Sequence, residues 1–396
     1  MTDDAKPSTL SGADRLADFA GAFDLPALYR AVAETMDRAW AAALPADRAR
    51  GLRRLVISGC GDSLFAGIAA RLAIERFGGL PCEPVEAMEC GRYAAVSFSP
   101  DVAVLGVSNS GTTSRVLESI GLARRAGAFT LALTGVEGTP LERLAGAGVV
   151  RPVVGAGGRE SPTARAERHL GEYLGSLAAL YHLALYLGTV RGVITERERT
   201  AEAAHLEDAA DAAQRALRDG PGRVAPLIGS LRDADRVFFV GAGPSYGTAL
   251  FGAAKLVEEI PLCGVPQQIE EWAHLQYFLT MVEGARTRAV VIAPPGQSTD
   301  RAVEVLRSMR EDGAVTVVVT HPAEAAIREA ASNALTVEDE CWEGYAPIPY
   351  TIPVQLLNLG LALEHGRTVI PLARRDGGRL IRGSPVRGMP EAHSAG

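Results

Sequence analysis

The chain of 396 residues has almost no lysine: Lys6 and Lys255 are the two, and arginine supplies 38 of the 40 basic residues. A strong charge of either sign is missing too. The formal net charge of −7 speaks against a nucleic-acid surface, while a local nest of N–H groups can still hold a small anion. Cysteine is sparse and scattered, at Cys60, Cys82, Cys90, Cys263 and Cys341, with no CxxC and no metal-like spacing. That pattern gives no case for a structural metal and fits a reducing cytoplasm. The polar, acidic start MTDDAKPSTLSGAD does not read as a secretory signal. A GxGxxG is absent: Gly59-Cys60-Gly61 runs on to Asp62, Ser63 and Leu64, and Gly241-Ala242-Gly243 to Pro244, Ser245 and Tyr246. No nicotinamide or flavin cofactor is therefore expected. One stretch, residues 171–190, is long and apolar enough to span a membrane. Glu172 and His182 interrupt it and Arg168 and Arg191 flank it, which predicts a helix buried between domains or subunits instead.

What the chain has in quantity is one grammar, repeated. "GVSNSGTTSRVLESIGLARRAG" (106–127) follows Val102, Val104, Leu105 and Val107, which read as a strand buried on both faces. Val116, Leu117, Ile120 and Leu122 then fall at helical spacing, with Arg115, Glu118, Arg124 and Arg125 on the other side. The polar cluster thus lies on a turn that opens a helix, where the first N–H groups lack partners and the helix dipole favours an anion. Upstream, "LRRLVISGCGDSLFAGIAARLAIERFG" is another strand, glycine turn and helix. Far downstream "DRVFFVGAGPSYGTALFGAAKLVEE" (235–259) answers that unit, and residues 289–321 answer the serine-rich one. A repeat of this length predicts two α/β domains of one type, each with a parallel sheet covered on both faces. A helical stretch is expected over about 25–44, and charged helices between about 192 and 218, ending at "RDGPG", read as a linker. The expected boundaries are an N-terminal helical segment 1–50, domains 51–195 and 196–375, and a flexible tail 376–396.

The paired units, and above all "SNSGTT" after "GCGDS", resemble the sugar isomerase (SIS) family of phosphosugar-binding domains. Within it, the resemblance is to the isomerase half of glucosamine-6-phosphate synthase, without the glutaminase domain, and it covers about residues 50–365. It implies two tandem SIS domains, each a doubly wound, flavodoxin-like parallel sheet flanked by helices. It also implies that Ser108, Asn109, Ser110 and Thr113 grip a sugar phosphate, with Ser63 completing the cradle. Short hydroxyls and free N–H groups at a helix start suit that ligand. In the second unit "PPGQST" has lost the serines and gained prolines, which lack a donor, so one phosphate site per chain is expected.

"KLVEEIPLCGVPQQIEEWAHLQYF" resembles the family segment in which a glutamate and a histidine sixteen residues later do the chemistry. Glu258 and His274 keep that spacing, and Lys255 lies three before Glu258, on the same helical face. Taken singly, each has an ordinary structural reading: a solvated glutamate, an i,i+3 ion-pair partner, an interface histidine beside Trp272. Together they suit aldose–ketose isomerisation. A carboxylate with a raised pKa moves a proton between C1 and C2 through an enediol, an imidazole opens the ring, and an ammonium steadies the enediolate. Two positions depart from the family. Asp62 stands where the synthase has threonine, and could cap the helix or accept a sugar hydroxyl. Arg374 or Arg375 occupies the region of an active-site lysine, and arginine forms no Schiff base. The resemblance implies a homodimer in which His274 reaches the neighbour's site, while the composition and motifs point to the cytoplasm with no membrane or nucleic-acid partner, no metal and no cofactor. An amino-sugar phosphate deaminase of the same type, an isomerase for a longer sugar phosphate and a non-catalytic phosphosugar sensor remain alternatives.

Overall fold

The computed structural model describes residues 12–152, 163–260, 262–339, 341–366 and Val386. The first half opens with helices α1 (Gly12–Ala20), α2 (Leu25–Ala43) and α3 (Ala46–Gly51). It then alternates β1 (Arg54–Gly59), α4 (Asp62–Gly78), β2 (Cys82–Glu86), α5 (Ala87–Arg92), β3 (Val102–Val107), α6 (Ser114–Arg125), β4 (Phe129–Thr134), α7 (Pro140–Ala145) and β5 (Gly148–Val150). Two long helices follow, α8 (Ala164–Arg191) and α9 (Glu196–Leu231). The second half runs β6 (Arg236–Gly241), α10 (Pro244–Glu259), β7 (Cys263–Gln268), and α11 (Ile269–Glu271), which continues through a π turn (Trp272–Gln276) into α12 (Tyr277–Glu283). β8 (Arg288–Ile292), α13 (Thr299–Glu311), β9 (Val315–Thr320), α14 (Ala325–Ala330), β10 (Asn333–Thr336) and α15 (Pro347–Glu364) complete it.

The strands form two parallel sheets of the same order, β2-β1-β3-β4-β5 and β7-β6-β8-β9-β10. This is the flavodoxin-like order, and it reverses direction between β1 and β3 and again between β6 and β8, where ligands of such sheets bind. β3 is buried along its whole length and pairs with β1 in the register Ile57↔Leu105, as its unbroken apolar run requires. The repeat extends to the backbone. Gly61 (φ +56°, ψ −133°) and Gly243 (φ +50°, ψ −128°) open α4 and α10 in nearly the same left-sided conformation, which only glycine adopts at little cost.

One continuous core joins the two halves. Helices α1, α2, α4, α8, α9, α10 and α15 contribute to it, and α8 and α15 are buried around almost their whole circumference. The expected apolar helix at 171–190 is therefore the middle of α8, covered within the chain by α2, α4 and α9 rather than by a second subunit. The expected linker is not a break. α9 continues through "RDGPG" to Leu231 with Pro221 and Pro226 inside it, because Leu217, Gly220 and Val224 are held against the core. At Gly220 a Cβ would stand 2.3 Å from Leu356 Cδ1 of α15, so glycine is what lets these two helices approach. Arg374, Arg375 and the expected tail 376–396, Val386 excepted, lie outside the described residues.

α4 and α10 cross antiparallel and close. A Cβ at Gly247 would stand 2.7 Å from Ala69 Cβ and 2.8 Å from the Phe65 carbonyl oxygen. That approach sets the start of α4 beside the end of α10, which places residues of the second half over the switch point of the first sheet.

Candidate active site

The turn after β3 is organised by its own hydroxyls. Ser108 Oγ and Thr113 Oγ1 lie 2.9 Å apart, and Ser110 Oγ and Thr112 Oγ1 2.8 Å. Gly111, at φ +61°, reverses the chain against Thr139, and no residue with a Cβ fits there (2.3 Å to Thr139 Cβ). Thr113 precedes α6 without capping it by its side chain, and the start of a helix is where an anion is favoured. Ser108, Asn109, Ser110 and Thr113 line a cavity of about 660 Å³ together with Asp62 and Ser63 from the start of α4.

Behind the turn sits a guanidinium that the sequence reading missed. Arg151, 2% exposed, donates to Asn109 Oδ1 at 2.7 Å, Ser176 Oγ at 3.0 Å and the Pro152 carbonyl at 3.2 Å. Burial lowers its pKa to about 10, which leaves it a cation at neutral pH. It holds the Asn109 side chain in place and adds positive charge under the cradle. Its signal was an arginine directly after the last apolar strand, "GVVR".

The opposite wall holds the charges. Lys255, 1% exposed, sits between two carboxylates, with Nζ 2.8 Å from Asp62 Oδ2 and 2.9 Å from Glu258 Oε2. Burial opposes its charge, but the two carboxylates raise its pKa above the ordinary lysine value. Asp62 goes the other way from a typical acid: burial raises its pKa, with Lys255 opposing. Glu258 corrects an expectation. Burial would raise it, but His169 and Lys255 together pull it down to about 2, so it is an ionised carboxylate and a weak base in the free site. The Cys60 thiol, also on the cavity wall, is pushed up to about 11 by burial and by Glu86, which excludes a thiolate nucleophile at neutral pH.

The third wall is the first two turns of α8, where Arg165, Arg168, His169 and Glu172 line the cavity. Their spacing of i, i+3, i+4, i+7 places them on one face, a pattern readable in "ARAERHLGE" but passed over as the flank of an apolar run. His169 Nδ1 faces Glu258 Oε2 at 3.3 Å. Glu172 has its pKa raised by burial, with Arg151 opposing.

His274 is not brought to this cavity by its own chain. It lies exposed on the π turn, one turn from the exposed Phe278, while its neighbour Trp272 is buried edge-on against Phe238 with ring centres 4.9 Å apart. At the second switch point the loop of "PPGQST" is filled by the protein itself. Glu343 Oε2 accepts from the Gln297 N–H at 3.0 Å, and a Cβ at Gly296 would meet it at 2.0 Å. A carboxylate thus occupies the second half where the first half has an open turn. Another cavity, about 600 Å³, is lined by Asp208, Asp211, Glu338 and Asp339 together with His205, Arg215 and His321.

Two flavodoxin-like sheets sharing one core, with a hydroxyl-lined turn at one switch point, define a tandem doubly wound α/β protein. The SIS domain family model matches residues 50–152 and 230–365, more than half the chain, and the chain belongs to that family. It is 29% identical over 325 residues to glutamine–fructose-6-phosphate aminotransferase (isomerizing) of Zymomonas mobilis, over 80% of this chain and 50% of that protein. The chain spans about half the length of the curated relatives it matches. Among solved structures, the C-terminal domain of glucosamine-fructose-6-phosphate aminotransferase from Francisella tularensis shares the fold with a TM-score of 0.75 at 20% identity, covering 93% of this chain and 99% of that one. Tagatose-6-phosphate ketose/aldose isomerase from Escherichia coli does so with a TM-score of 0.68 at 16% identity, over 91% and 95%.

Proposed function

We propose that the chain is a cytoplasmic phosphosugar isomerase, moving a proton between C1 and C2 of a sugar or amino-sugar 6-phosphate through an enediol or enaminol. The observation that carries this reading is the meeting, in one cavity, of the Ser108–Thr113 turn with the Asp62–Lys255–Glu258 cluster. Ser63, Ser108, Asn109, Ser110 and Thr113 hold the phosphate, with α6 directing its N-terminus at it. Asp62 accepts a sugar hydroxyl. Lys255 stabilises the charge that develops on the enediolate oxygens, and Glu258 is essential to the proton transfer. The family membership and the isomerase relatives support this assignment. Filling of the second switch point by Glu343 supports one ligand per chain.

The active form is a homodimer with shared sites. Leu275 (54% exposed), Phe278 (60%), Met281 (62%) and Val282 (80%) form an apolar surface on the segment that carries His274, and a second copy would cover it. The partner's His274 then serves ring opening. The decisive experiment incubates the protein with a panel of hexose and hexosamine 6-phosphates, with and without ammonia, and reads products by NMR. Aldose–ketose conversion is the expected result, and ammonia release from a hexosamine phosphate would make the protein a deaminase. Binding without turnover of any member would make it a sensor.

A further inference from the structure

The cations of the cavity fall into two groups. Arg151 and Lys255 are buried, and each has a carboxylate near it: Glu172 interacts with Arg151, and Asp62 and Glu258 hold Lys255 at 2.8 and 2.9 Å. Arg165, half-buried, and Arg168, exposed, line the same cavity. Among the described residues no carboxylate lies within ion-pair distance of either. Two guanidiniums thus face the cavity with their donors open to a ligand. Their place on α8 decides which part of that ligand they meet. Glu172 lies toward Arg151, and so toward the turn that Arg151 supports through Asn109. His169, three residues earlier, stands 3.3 Å from Glu258. Arg165 is a further turn away, about 6 Å beyond His169 and about 10 Å beyond Glu172 at 1.5 Å per residue. A phosphosugar with its phosphate on the turn and its reacting carbons beside Lys255 and Glu258 therefore points its C1 end toward the two arginines.

We propose that Arg165 and Arg168 select a phosphosugar that carries a second anionic group, a carboxylate or a phosphate, at its C1 end. This rests on the functional reading above and names the substrate class of that site. The residue types suit the task. A guanidinium presents paired N–H donors in a fixed plane that matches the oxygens of a carboxylate or phosphate, and side chains three apart on a helix reach the same group. The charge distribution suits it too. Around the reacting carbons Lys255 is already matched by Asp62 and Glu258, which repel a second anion there. At the start of α8 the two arginines carry positive charge with no carboxylate against it. A neutral sugar end would leave both guanidiniums in water and gain nothing from them, so the pair discriminates by the charge of that end.

The test compares ligands that differ at that end: fructose 6-phosphate, fructose 1,6-bisphosphate, 6-phosphogluconate, and the 6-phosphate of N-fructosylglycine, in which a short linker carries the carboxylate further out. Affinities are measured by calorimetry at one ionic strength, so that screening is equal throughout, for wild type, Arg165→Gln, Arg168→Gln and the double variant. Circular dichroism confirms that each variant is folded. At least one doubly anionic ligand should bind the wild type about tenfold or more tighter than fructose 6-phosphate. In the double variant that advantage should fall below about threefold, with the affinity for fructose 6-phosphate itself changed by less than about threefold. The bisphosphate set against the two carboxylates tells which anion the arginines prefer. No advantage for any doubly anionic ligand overturns the proposal, and so does an advantage that survives in the double variant. A double variant that weakens fructose 6-phosphate as much as the others also overturns it, because the arginines would then serve the first phosphate. These three results leave the functional reading standing. Failure of the wild type to bind any of the four ligands overturns both.

Discussion

The buried carboxyl of Glu259 provides a measurement that reaches the core beside the site without using substrate. It is 2% exposed on α10, next to Glu258, and its Oε1 accepts from Gln355 Nε2 of α15 at 2.7 Å. Glu259 Oε2 and Gln355 Oε1 are both buried without a donor. A proton on Oε2 would close a ring of two hydrogen bonds between acid and amide and satisfy both atoms at once. Burial accordingly raises the Glu259 pKa from 4.5 to about 7, with Gln355 and Lys255 opposing and Glu258 and Asp62 adding to the rise.

A raised folded-state value means that the folded protein binds this proton more tightly than the unfolded chain. The stability it contributes is complete below pH 4.5 and is lost as pH rises through about 7. At about 1.4 kcal/mol per pKa unit, the difference amounts to about 3 kcal/mol. Glu259→Gln replaces the acid by a permanently neutral amide. Urea unfolding between pH 5 and 8.5 should show the variant near wild type at pH 5 and up to about 3 kcal/mol more stable, relative to that starting difference, at pH 8.5. The depressed value of Glu258 acts below pH 4.5 and does not enter this window. Parallel pH curves for wild type and variant would refute the protonated carboxyl–amide pair.

Ser110→Ala and Thr113→Ala should each weaken sugar-phosphate binding by about 1–3 kcal/mol in calorimetry, with the unphosphorylated sugar binding weakly to all forms; equal wild-type affinity for sugar and sugar phosphate removes the cradle. Mixing inactive Glu258→Gln chains with inactive His274→Ala chains should restore part of the turnover in heterodimers, and mixed dimers that form without activity exclude a shared site.

The repeat, the parallel sheets and the hydroxyl-lined turn after β3 were legible because each is a local signal. A doubly buried strand must be apolar throughout, and a turn that faces an anion must be polar where its neighbours are not. The misreadings share a cause in packing between distant segments. "RDGPG" has the composition of a break, yet contacts with α15 hold α9 together across it. The proton transfer read for Glu258 called for a raised pKa, and the structure lowers it instead. Lys255, three residues away, was in view, but His169, almost ninety residues upstream, was not, and its opposing effect required the α8–α10 neighbourhood to be known. Asp62 was seen as an oddity in a phosphate turn. Its place is explained once the 2.8 Å contact with Lys255 is seen, since that contact compensates a negative charge close to where a phosphate would sit.

That contact joins the two halves of the repeat, and Gly247 is the residue that permits it. The first half has the open turn, and the second, with its own turn filled by Glu343, supplies Lys255 and Glu258 across the α4–α10 crossing. A Cβ at position 247 would stand 2.8 Å from the Phe65 carbonyl oxygen and 2.9 Å from the Ala69 N, both backbone atoms that no rotamer change can move aside. Gly247→Ala must therefore shift α10 against α4, at a cost of about 1–3 kcal/mol for an overpacked contact. The shift lengthens the Lys255–Asp62 and Lys255–substrate distances while the turn at residues 108–113, carried by β3 and α6, stays in place. The expected phenotype is a loss of C2 exchange of about tenfold or more, with sugar-phosphate affinity changed much less, since small misplacements of a catalytic group act on the chemical step. Gly222→Ala is the control: that glycine lies in α9 with nothing within 4 Å of an added Cβ, and alanine there should be neutral or stabilising by up to about 1 kcal/mol. If Gly247→Ala matches this control in both stability and exchange, the close crossing is not what holds the second half's charges over the first half's turn.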